Sequence, residues 1–205
     1  MTEIYLTRHG ETEWNVQKRA QGFQDSPLTP RGLEQARRLA RRLSAVHFDA
    51  IFTSPLPRAY RTAQIIANTR DQLIQTDDRI REIYLGEWEG MTFREISALY
   101  PQENQYFWNA PGLYIPISGE SFDDLRRRIE SFLHDIGKSY HEARVLVVSH
   151  AVAVMTMIGH FTGTPIGQFW EAKFIDSTSL TVIESDGGVG RVVMHGDTSH
   201  LNGEE

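Results

Sequence analysis

An arginine and a histidine stand side by side where a short apolar run ends. Residues 4–6 have the pattern of a buried strand, and Thr7, Arg8, His9 and Gly10 follow it directly. A neutral imidazole can attack phosphorus, while the guanidinium fork binds phosphate oxygens. The charge of Arg8 also disfavours protonation of His9. The pair indicates phosphoryl transfer, although the same residues alone are compatible with a solvated loop.

Arg58 occupies a comparable position later in the chain. The apolar segment 48–53 predicts a second strand, and Ser54 with Pro55 has the pattern of a helix N-cap followed by proline at the first helical position. Arg58 would then lie in the first turn of that helix, where backbone N–H groups and the helix dipole favour an anion. It is therefore a second candidate for binding phosphate.

A second histidine is predicted at the same edge of the sheet. Residues 145–148 form an apolar, largely β-branched run, which is typical of a strand covered on both faces. His150 follows that strand, and an apolar helix begins immediately after it. Because the strands of an open α/β sheet carry their sites at the carboxyl ends, we expect His9, Arg58 and His150 to lie close together.

Two loops are predicted beside these strand ends. Residues 21–28 contain several turn formers and no hydrophobic period, so we expect a loop on the same side of the sheet as His9. Residues 79–90 are expected to form a structured loop over the sheet. That loop carries three glutamates, namely Glu82, Glu87 and Glu89.

Residues 103–119 are predicted to be irregular and are rich in aromatic side chains. A long segment without periodicity in a compact domain is usually functional or disordered. Its aromatic residues favour an ordered lid over the site, but they could equally fill the core. They are Tyr106, Phe107, Trp108 and Tyr114.

The remaining elements are indicated by helix caps, apolar stripes and turn residues. Helices are predicted after Thr29, after the Thr92 and Glu95 capping box as far as Pro101, and after Ser121 with Asp124. Residues 73–76 could form an edge strand. A hairpin is predicted from residues 180–184 and 191–195, with its turn at 186–188.

Length and composition indicate one ordinary globular domain. The chain has 205 residues, 40% of them hydrophobic, with no cysteine and a net charge of -6. The negative charge argues against nucleic acid or an anionic membrane as the main partner, and no stretch approaches a membrane span. Without a secretory signal or cysteine, we expect a cytoplasmic protein, either monomer or homodimer. Of the 21 cationic residues, 18 are Arg, the better bidentate phosphate ligand.

Five motifs in this order resemble those of the histidine phosphatase superfamily, in its phosphoglycerate mutase-like branch. They are Thr-Arg-His-Gly-Glu-Thr-Glu-Trp-Asn, Ser-Pro-Leu-Pro-Arg-Ala-Tyr-Arg-Thr-Ala, Gly-Glu-Trp-Glu-Gly, Gly-Glu-Ser and Val-Val-Ser-His. Together they cover nearly the whole chain and are most similar to the bacterial broad-specificity phosphatases. The resemblance implies a three-layer α/β/α sandwich with a mostly parallel central sheet. The chain is expected to be a single domain over residues 1–205, with an excursion at about 77–120 that forms a lid over the site.

The resemblance also implies a role for each candidate residue. His9 would be the nucleophile that becomes phosphorylated, and Glu82 would be the proton donor, with Glu87 and Glu89 left as alternatives. The phosphoryl group would be held by Arg8, Arg58 and His150. The remaining substrate-binding candidates are Asn15, Gln21 and Gly22 near the phosphate, and Tyr106 and Trp108 at the pocket rim.

The expected activity is therefore hydrolysis of small organic phosphomonoesters through a phosphohistidine, without metal or cofactor. Positioned cationic donors can stabilise a transferring phosphoryl group, and the other six histidines show no metal-binding spacing. One of them, His200, lies in a tail segment that resembles a recurring one in these phosphatases, and its role stays open. A phosphoglycerate mutase would use the same residues, but segment 102–118 lacks Lys and Arg, which favours hydrolysis. A non-catalytic phosphate-binding module is the remaining alternative.

Overall fold

Six strands form one sheet in the computed structural model, which describes residues 1–67, 73–186 and 189–202. The strands are β1 (Thr2–Arg8), β2 (Ala50–Thr53), β3 (Ile74–Thr76), β4 (Arg144–Ser149), β5 (Leu180–Asp186) and β6 (Val189–Asp197). Their spatial order is β3-β2-β4-β1-β5-β6. The first four are parallel, and β5 and β6 continue the sheet with antiparallel pairing. The prediction of a mostly parallel central sheet is confirmed.

Helices cover both faces of this sheet. They are α1 (Glu13–Val16), α2 (Pro30–Arg42), α3 (Pro57–Ala67), α4 (Phe93–Leu99), α5 (Pro101–Asn109), α6 (Phe122–Ser139) and α7 (Ala151–Thr162). Successive residues of a strand point to opposite faces, so Val145 and Val147 pack with α6 and α7. Leu146 and Val148 pack with α2 and α3 on the other face. The chain therefore has the three-layer α/β/α architecture.

Side-chain caps begin the helices where the sequence predicts them. Thr29 accepts a hydrogen bond from the Gly32 N–H at the start of α2. Reciprocal capping boxes open α4, through Thr92 and Glu95, and α6, through Ser121 and Asp124. Each box satisfies two backbone donors that a helix N-terminus leaves unpaired.

The predicted start of α3 is wrong by two residues. The helix begins at Pro57 rather than after Ser54 and Pro55. The Ser54 hydroxyl accepts from the Leu56 N–H at 3.3 Å and also lies 2.8 Å from Nε2 of His150. Proline is still found at the first helical position, and Arg58 still lies in the first turn, as predicted.

The prediction that residues 103–119 are irregular is wrong for the first part of that segment. Pro101 ends α4 but also occupies the first position of α5, which continues to Asn109. Proline lacks the N–H that would continue one helix, while its fixed φ suits the start of the next. The polar residues 102–105 hide the helical period from the sequence. Residues 111–113 then form one 3-10 turn.

Other predicted boundaries differ only at element ends. The strand expected from residue 48 begins at Ala50, because Phe48 is buried against the Tyr5 ring instead of continuing the ladder. The predicted hairpin is confirmed as β5 and β6, but its turn at residues 187–188 lies outside the described residues. Within the described ranges, no helix is long and apolar enough to cross a membrane.

Candidate active site

The carboxyl ends of three neighbouring parallel strands bring the predicted residues together. His9 follows β1, Ser54 follows β2 and His150 follows β4, and β4 lies between the other two strands. The His9 N–H donates to the Ser149 carbonyl at 2.9 Å, which continues the β1–β4 ladder up to the site. The imidazole rings of His9 and His150 face each other with centroids 5.2 Å apart at 61°.

His9 is buried and oriented for attack through Nε2. Its Nδ1 lies 2.7 Å from the Gly10 carbonyl oxygen, so Nδ1 carries the hydrogen and Nε2 keeps the lone pair. Nε of Arg58 donates to that Nε2 at 3.3 Å. Burial, followed by the charges of Arg58 and Arg8, holds the pKa of His9 well below its ordinary value of 6.5. The imidazole is therefore neutral at pH 7, which is the nucleophilic form.

His150 is also buried and has one ring nitrogen without a partner. Its Nε2 lies 2.8 Å from the Ser54 hydroxyl, whereas Nδ1 has no hydrogen-bond partner among the described residues. Burial lowers the pKa of His150 well below 6.5, and the charges of Arg58, His9 and Arg8 add to this. Since a buried polar atom without a partner is costly, a ligand atom at this site would stabilise it.

Arg58 is almost fully buried and is held by the loop before α2. Its Nη1 donates to the Gln24 carbonyl at 2.7 Å and pairs with Asp25 at 2.9 Å, and its Nη2 donates to the Gly22 carbonyl at 2.8 Å. These contacts neutralise a charge that would otherwise be costly to bury. They also direct Nε of Arg58 towards His9, so the loop at residues 21–28 serves as a support for the arginine.

Gly22 is needed for the conformation of that loop. Its φ is +53°, in the left-handed region, and an added Cβ would lie 2.0 Å from Oε1 of Glu89. The Glu89 carboxylate occupies this space because it accepts hydrogen bonds from the N–H groups of Phe23 and Gln24, at 2.7 and 3.2 Å. Glu89 therefore stabilises the loop at residues 21–28, called the supporting loop below because it holds Arg58.

Arg8 contributes a second guanidinium to the site. Its Nη1 donates to the Ile175 carbonyl at 3.0 Å, and its guanidinium carbon lies 5.6 Å from the centroid of the Phe174 ring. Nε of Arg8 is buried and has no partner among the described residues. It is a donor that an anionic ligand could satisfy.

The three glutamates of the loop 79–90 have different environments. Glu82 lines the cavity with Arg8 and His9, whereas Glu87 and Glu89 do not. The Glu82 carboxylate accepts hydrogen bonds from three backbone N–H groups, those of Ile83 at 3.0 Å, Ala153 at 3.1 Å and Val152 at 3.2 Å. Glu87 accepts from the Tyr100 hydroxyl at the surface, at 3.3 Å. The geometry favours Glu82 over both alternatives.

The cavity above His9 has a volume of about 110 Å³ and an aromatic wall. Asn15 and Gln21 line it, as predicted, and Oε1 of Gln21 is buried without a partner in the described structure. Trp108 lines it too, whereas Tyr106 does not. The aromatic side chains of the cavity wall are Trp88, Phe93, Phe107, Trp108, Trp170 and Phe174.

The aromatic segment both fills the core and borders the site. Phe107 and Tyr114 are buried against Trp88, with ring centroids 5.6 Å from it in each case. Trp108 is partly exposed and stacks on Trp170 at 4.6 Å. Phe107 and Tyr114 therefore fill the core, while Trp108 borders the cavity, and the lid stays a prediction.

Several cavity residues were missed by the sequence analysis. Arg19 lies in the cavity wall and donates to the Gly90 carbonyl at 2.7 Å. Its position between Asn15 and the loop at 21–28 was the available signal. Trp170 comes from a short 3-10 helix, Ile166–Glu171, and Phe174 from the loop after it, and no pattern marks either as part of a site. Beside the cavity, Ser54 accepts from the Leu56 N–H much as a helix cap would, and its contact with His150 was not predicted.

No group of three or more His, Cys, Asp or Glu side chains suited to a metal ion is found in the part of the chain that the structure describes. The titratable side chains of the cavity are His9, Glu82 and three arginines, Arg8, Arg19 and Arg58. This set suits a phosphate dianion with an acid beside it.

Comparison with known proteins gives consistent matches over almost the full chain. The model of the histidine phosphatase superfamily, branch 1, matches residues 4–198. The solved structure of Bacillus stearothermophilus YhfR is 44% identical, with a TM-score of 0.95, and 98% of this chain and 100% of that chain are covered. Phosphoserine phosphatase 1 of Hydrogenobacter thermophilus is 35% identical over 201 residues, covering 98% of this chain and 95% of the relative. Phosphoglycerate mutase-like protein 4 of Arabidopsis thaliana is 35% identical over 203 residues, covering 97% and 86%.

Proposed function

Because the chain belongs to branch 1 of the histidine phosphatase superfamily, we propose that its site hydrolyses phosphomonoesters of small organic molecules. One observation carries this proposal. His9 lines a cavity together with Arg8, Arg58 and Glu82, its ring centroid lies 5.2 Å from that of His150, and Nε of Arg8 is a buried donor with no protein partner in the described structure. Such an arrangement suits a phosphoryl group whose charge is spread over its oxygens.

In the first step Nε2 of His9 attacks phosphorus and the bond from phosphorus to the ester oxygen breaks. The leaving alkoxide takes the proton of a protonated Glu82. As the new P–N bond forms, the imidazole becomes positively charged, and the Gly10 carbonyl that accepts from Nδ1 stabilises this charge. Arg8, Arg58 and His150 hold the phosphoryl oxygens.

In the second step water attacks the phosphohistidine. The Glu82 carboxylate takes a proton from that water, the P–N bond breaks, and inorganic phosphate leaves a neutral His9. Asn15 and Gln21 bind phosphate or the attacking water in this proposal, which is supported by their position in the cavity wall. Oδ1 of Asn15 is already used in the Thr12 capping box, so its Nδ2 is the group that can donate.

The test of this proposal is the site of the covalent intermediate. During turnover, protein quenched in alkaline denaturant and digested should show an adduct of phosphate mass on the peptide that contains His9. Mild acid should remove the adduct. An adduct on the His150 peptide would reverse the roles of the two histidines, and a protein that turns over with no adduct on either would contradict the mechanism.

Mutase activity is the second candidate, since the relatives include phosphoglycerate mutase-like protein 4. The absence of Lys and Arg in residues 102–118 favours hydrolysis, because a highly charged phosphoglycerate would need cationic partners there. Incubation with phosphoglycerate, followed by ³¹P NMR, distinguishes the two. Inorganic phosphate is the expected product, and an isomeric phosphoglycerate would support the mutase.

Three further expectations are part of the proposal. The excursion at residues 77–120 is proposed to act as a lid within a single domain, which is supported by the contribution of Trp88, Phe93, Phe107 and Trp108 to the cavity wall. The protein is proposed to be cytoplasmic, and either monomeric or homodimeric. Sedimentation velocity would determine the oligomeric state.

A further inference from the structure

Arg128, on α6, lies outside the cavity and uses its whole guanidinium on neighbouring groups. Its side chain is only 16% exposed. All five N–H donors are hydrogen-bonded. The partners are both oxygens of Glu120, at 2.8 and 2.7 Å, and the carbonyls of Arg79, Arg81 and Glu82, at 2.7, 2.8 and 2.7 Å.

The carbonyls that Arg128 binds belong to the segment that ends in Glu82. The one carbonyl between them, that of Ile80, accepts from the Ser149 hydroxyl at 2.7 Å. Four successive carbonyls, at residues 79–82, therefore each accept a hydrogen bond from a side chain. In a helix or strand such groups would be paired by backbone, so here side chains determine the path of the loop.

Glu120 extends the same support to the other side of Glu82. Its Oε2 accepts from the Tyr84 N–H at 2.9 Å, and its own N–H donates to the Tyr84 carbonyl at 2.8 Å. Gly119, which has a φ of +115°, permits this close approach of the two backbones. Arg128 and Glu120 together hold the chain before and after Glu82.

The carboxylate of Glu82 is fixed separately, by the N–H groups of Val152 and Ala153 at the start of α7. A displacement of about 1 Å between a catalytic group and its target can cost roughly 100-fold in rate. We infer that Arg128, supported by Glu120, is a positioning residue that holds Glu82 at the distance needed for proton transfer. This inference rests on the proposed function, in which Glu82 is the proton donor.

A purely structural role for Arg128 predicts a different outcome from a positioning role. An alkyl phosphate releases a strongly basic alkoxide, which needs the proton of Glu82, whereas nitrophenolate is a weak base and leaves unaided. Displacing Glu82 should therefore slow phosphorylation by alkyl phosphates and spare nitrophenyl phosphate. General loss of folding would slow both substrates alike.

The experiment compares pre-steady-state phosphorylation rates for glycerol phosphate and nitrophenyl phosphate in the wild type and in Arg128→Lys. Lysine keeps the charge but cannot bind the loop carbonyls and Glu120 together. We expect a loss of at least about 10-fold for glycerol phosphate and less than about 3-fold for nitrophenyl phosphate, within the range of lost general acid catalysis. KM should change little. Arg126→Lys, on the exposed side of α6, is the matched control and should change neither rate.

Equal losses for both substrates in a folded Arg128→Lys protein, or no loss, would overturn the inference. If circular dichroism shows that this variant does not fold, Glu120→Gln is compared on the same two substrates. That substitution weakens the hydrogen bonds of Glu120 with Arg128 and the Tyr84 N–H. Glu82→Gln is the reference for the selective loss. If Glu82→Gln itself slows both substrates equally, the assignment of the proton donor fails, and that result is distinct from a failure of Arg128 alone.

Discussion

At the scale of single residues, the two buried histidines make stability depend on pH. Their pKa values are held well below 6.5 in the folded protein, while in the unfolded chain both would bind protons near that value. Below about pH 6.5 the unfolded state therefore binds more protons, and the free energy of unfolding falls as pH falls. Each histidine contributes a slope of up to about 1.4 kcal/mol per pH unit until the folded pKa is reached.

Urea unfolding at several pH values between about 5 and 7.5 should show this loss on acidification. His150→Gln should reduce the slope, because it removes one of the two contributions. His47→Gln, at an exposed histidine, is the control and should leave the slope unchanged. A wild-type slope equal to that of His150→Gln over this window would show that His150 is not buried in its neutral form.

Arg58→Lys should be far from conservative. An ammonium cannot reproduce the contacts of the guanidinium with His9, Asp25 and the carbonyls of the supporting loop. Losing contacts specific to the transition state should cost about 2 to 4 kcal/mol, or roughly 30- to 1000-fold in kcat/KM. Arg61→Lys, which is exposed on the same helix, should lose almost nothing. A change below about threefold at Arg58 would contradict its place in the site.

At the scale of elements, the supporting loop should tolerate no side chain at Gly22. Gly22→Ala combines a strained φ with a clash against the Glu89 carboxylate, and we expect a loss of about 1 to 3 kcal/mol in stability. Since the loop also holds Arg58, kcat/KM should fall in the fraction that remains folded. Thermal unfolding and initial rates would measure both.

The control for this prediction is another glycine of the chain. A Cβ at Gly137, inside α6, would meet no atom within 4 Å. Gly137→Ala should therefore leave activity intact and stabilise the protein by up to about 1 kcal/mol. A Gly22→Ala protein as stable and as active as Gly137→Ala would exclude the proposed role of the loop.

Features that depend on residues close together in the sequence were predicted. Features that depend on contacts with residues far away in the sequence were not. The capping boxes at Thr92 and Ser121 depend on residues three positions apart, so they are visible in the sequence. The Ser54 hydroxyl binds His150, which is 96 positions away, and no local pattern shows this. Helix α5 was missed because residues 102–105 are polar and only its last turn reaches the core.

At the scale of the whole molecule, the sheet order determined what could be predicted of the site. Parallel pairing of β1, β4 and β2 guarantees that residues after each strand meet, so His9, Arg58 and His150 were placed correctly from strand ends alone. The cavity wall was harder to predict. Trp170 and Phe174 reach it through packing against α5 and Arg8, which are far away in sequence.

The arginines in the cavity wall also predict that activity needs no divalent metal, because they supply the positive charge that a metal ion would provide. Arg8, Arg19 and Arg58 supply positive donors, and the described residues include no cluster of metal ligands. Saturating EDTA should leave the rate on a small phosphomonoester unchanged, and added Mg²⁺ should not raise it. A chelator-induced loss that Mg²⁺ or Mn²⁺ restores would contradict this prediction.

The aromatic half of the cavity comes largely from one uninterrupted stretch, residues 83–108, whereas the phosphate-binding half comes from separate strand ends. That stretch could thus be exchanged as a unit between relatives, altering leaving-group preference while the reaction centre, including Glu82, stays in place. Arg128 lies outside that stretch and binds the carbonyls of Arg79, Arg81 and Glu82, which directly precede it. A chimaera that keeps Glu120 and Arg128 should therefore inherit the donor's substrate ranking together with the recipient's catalytic rate.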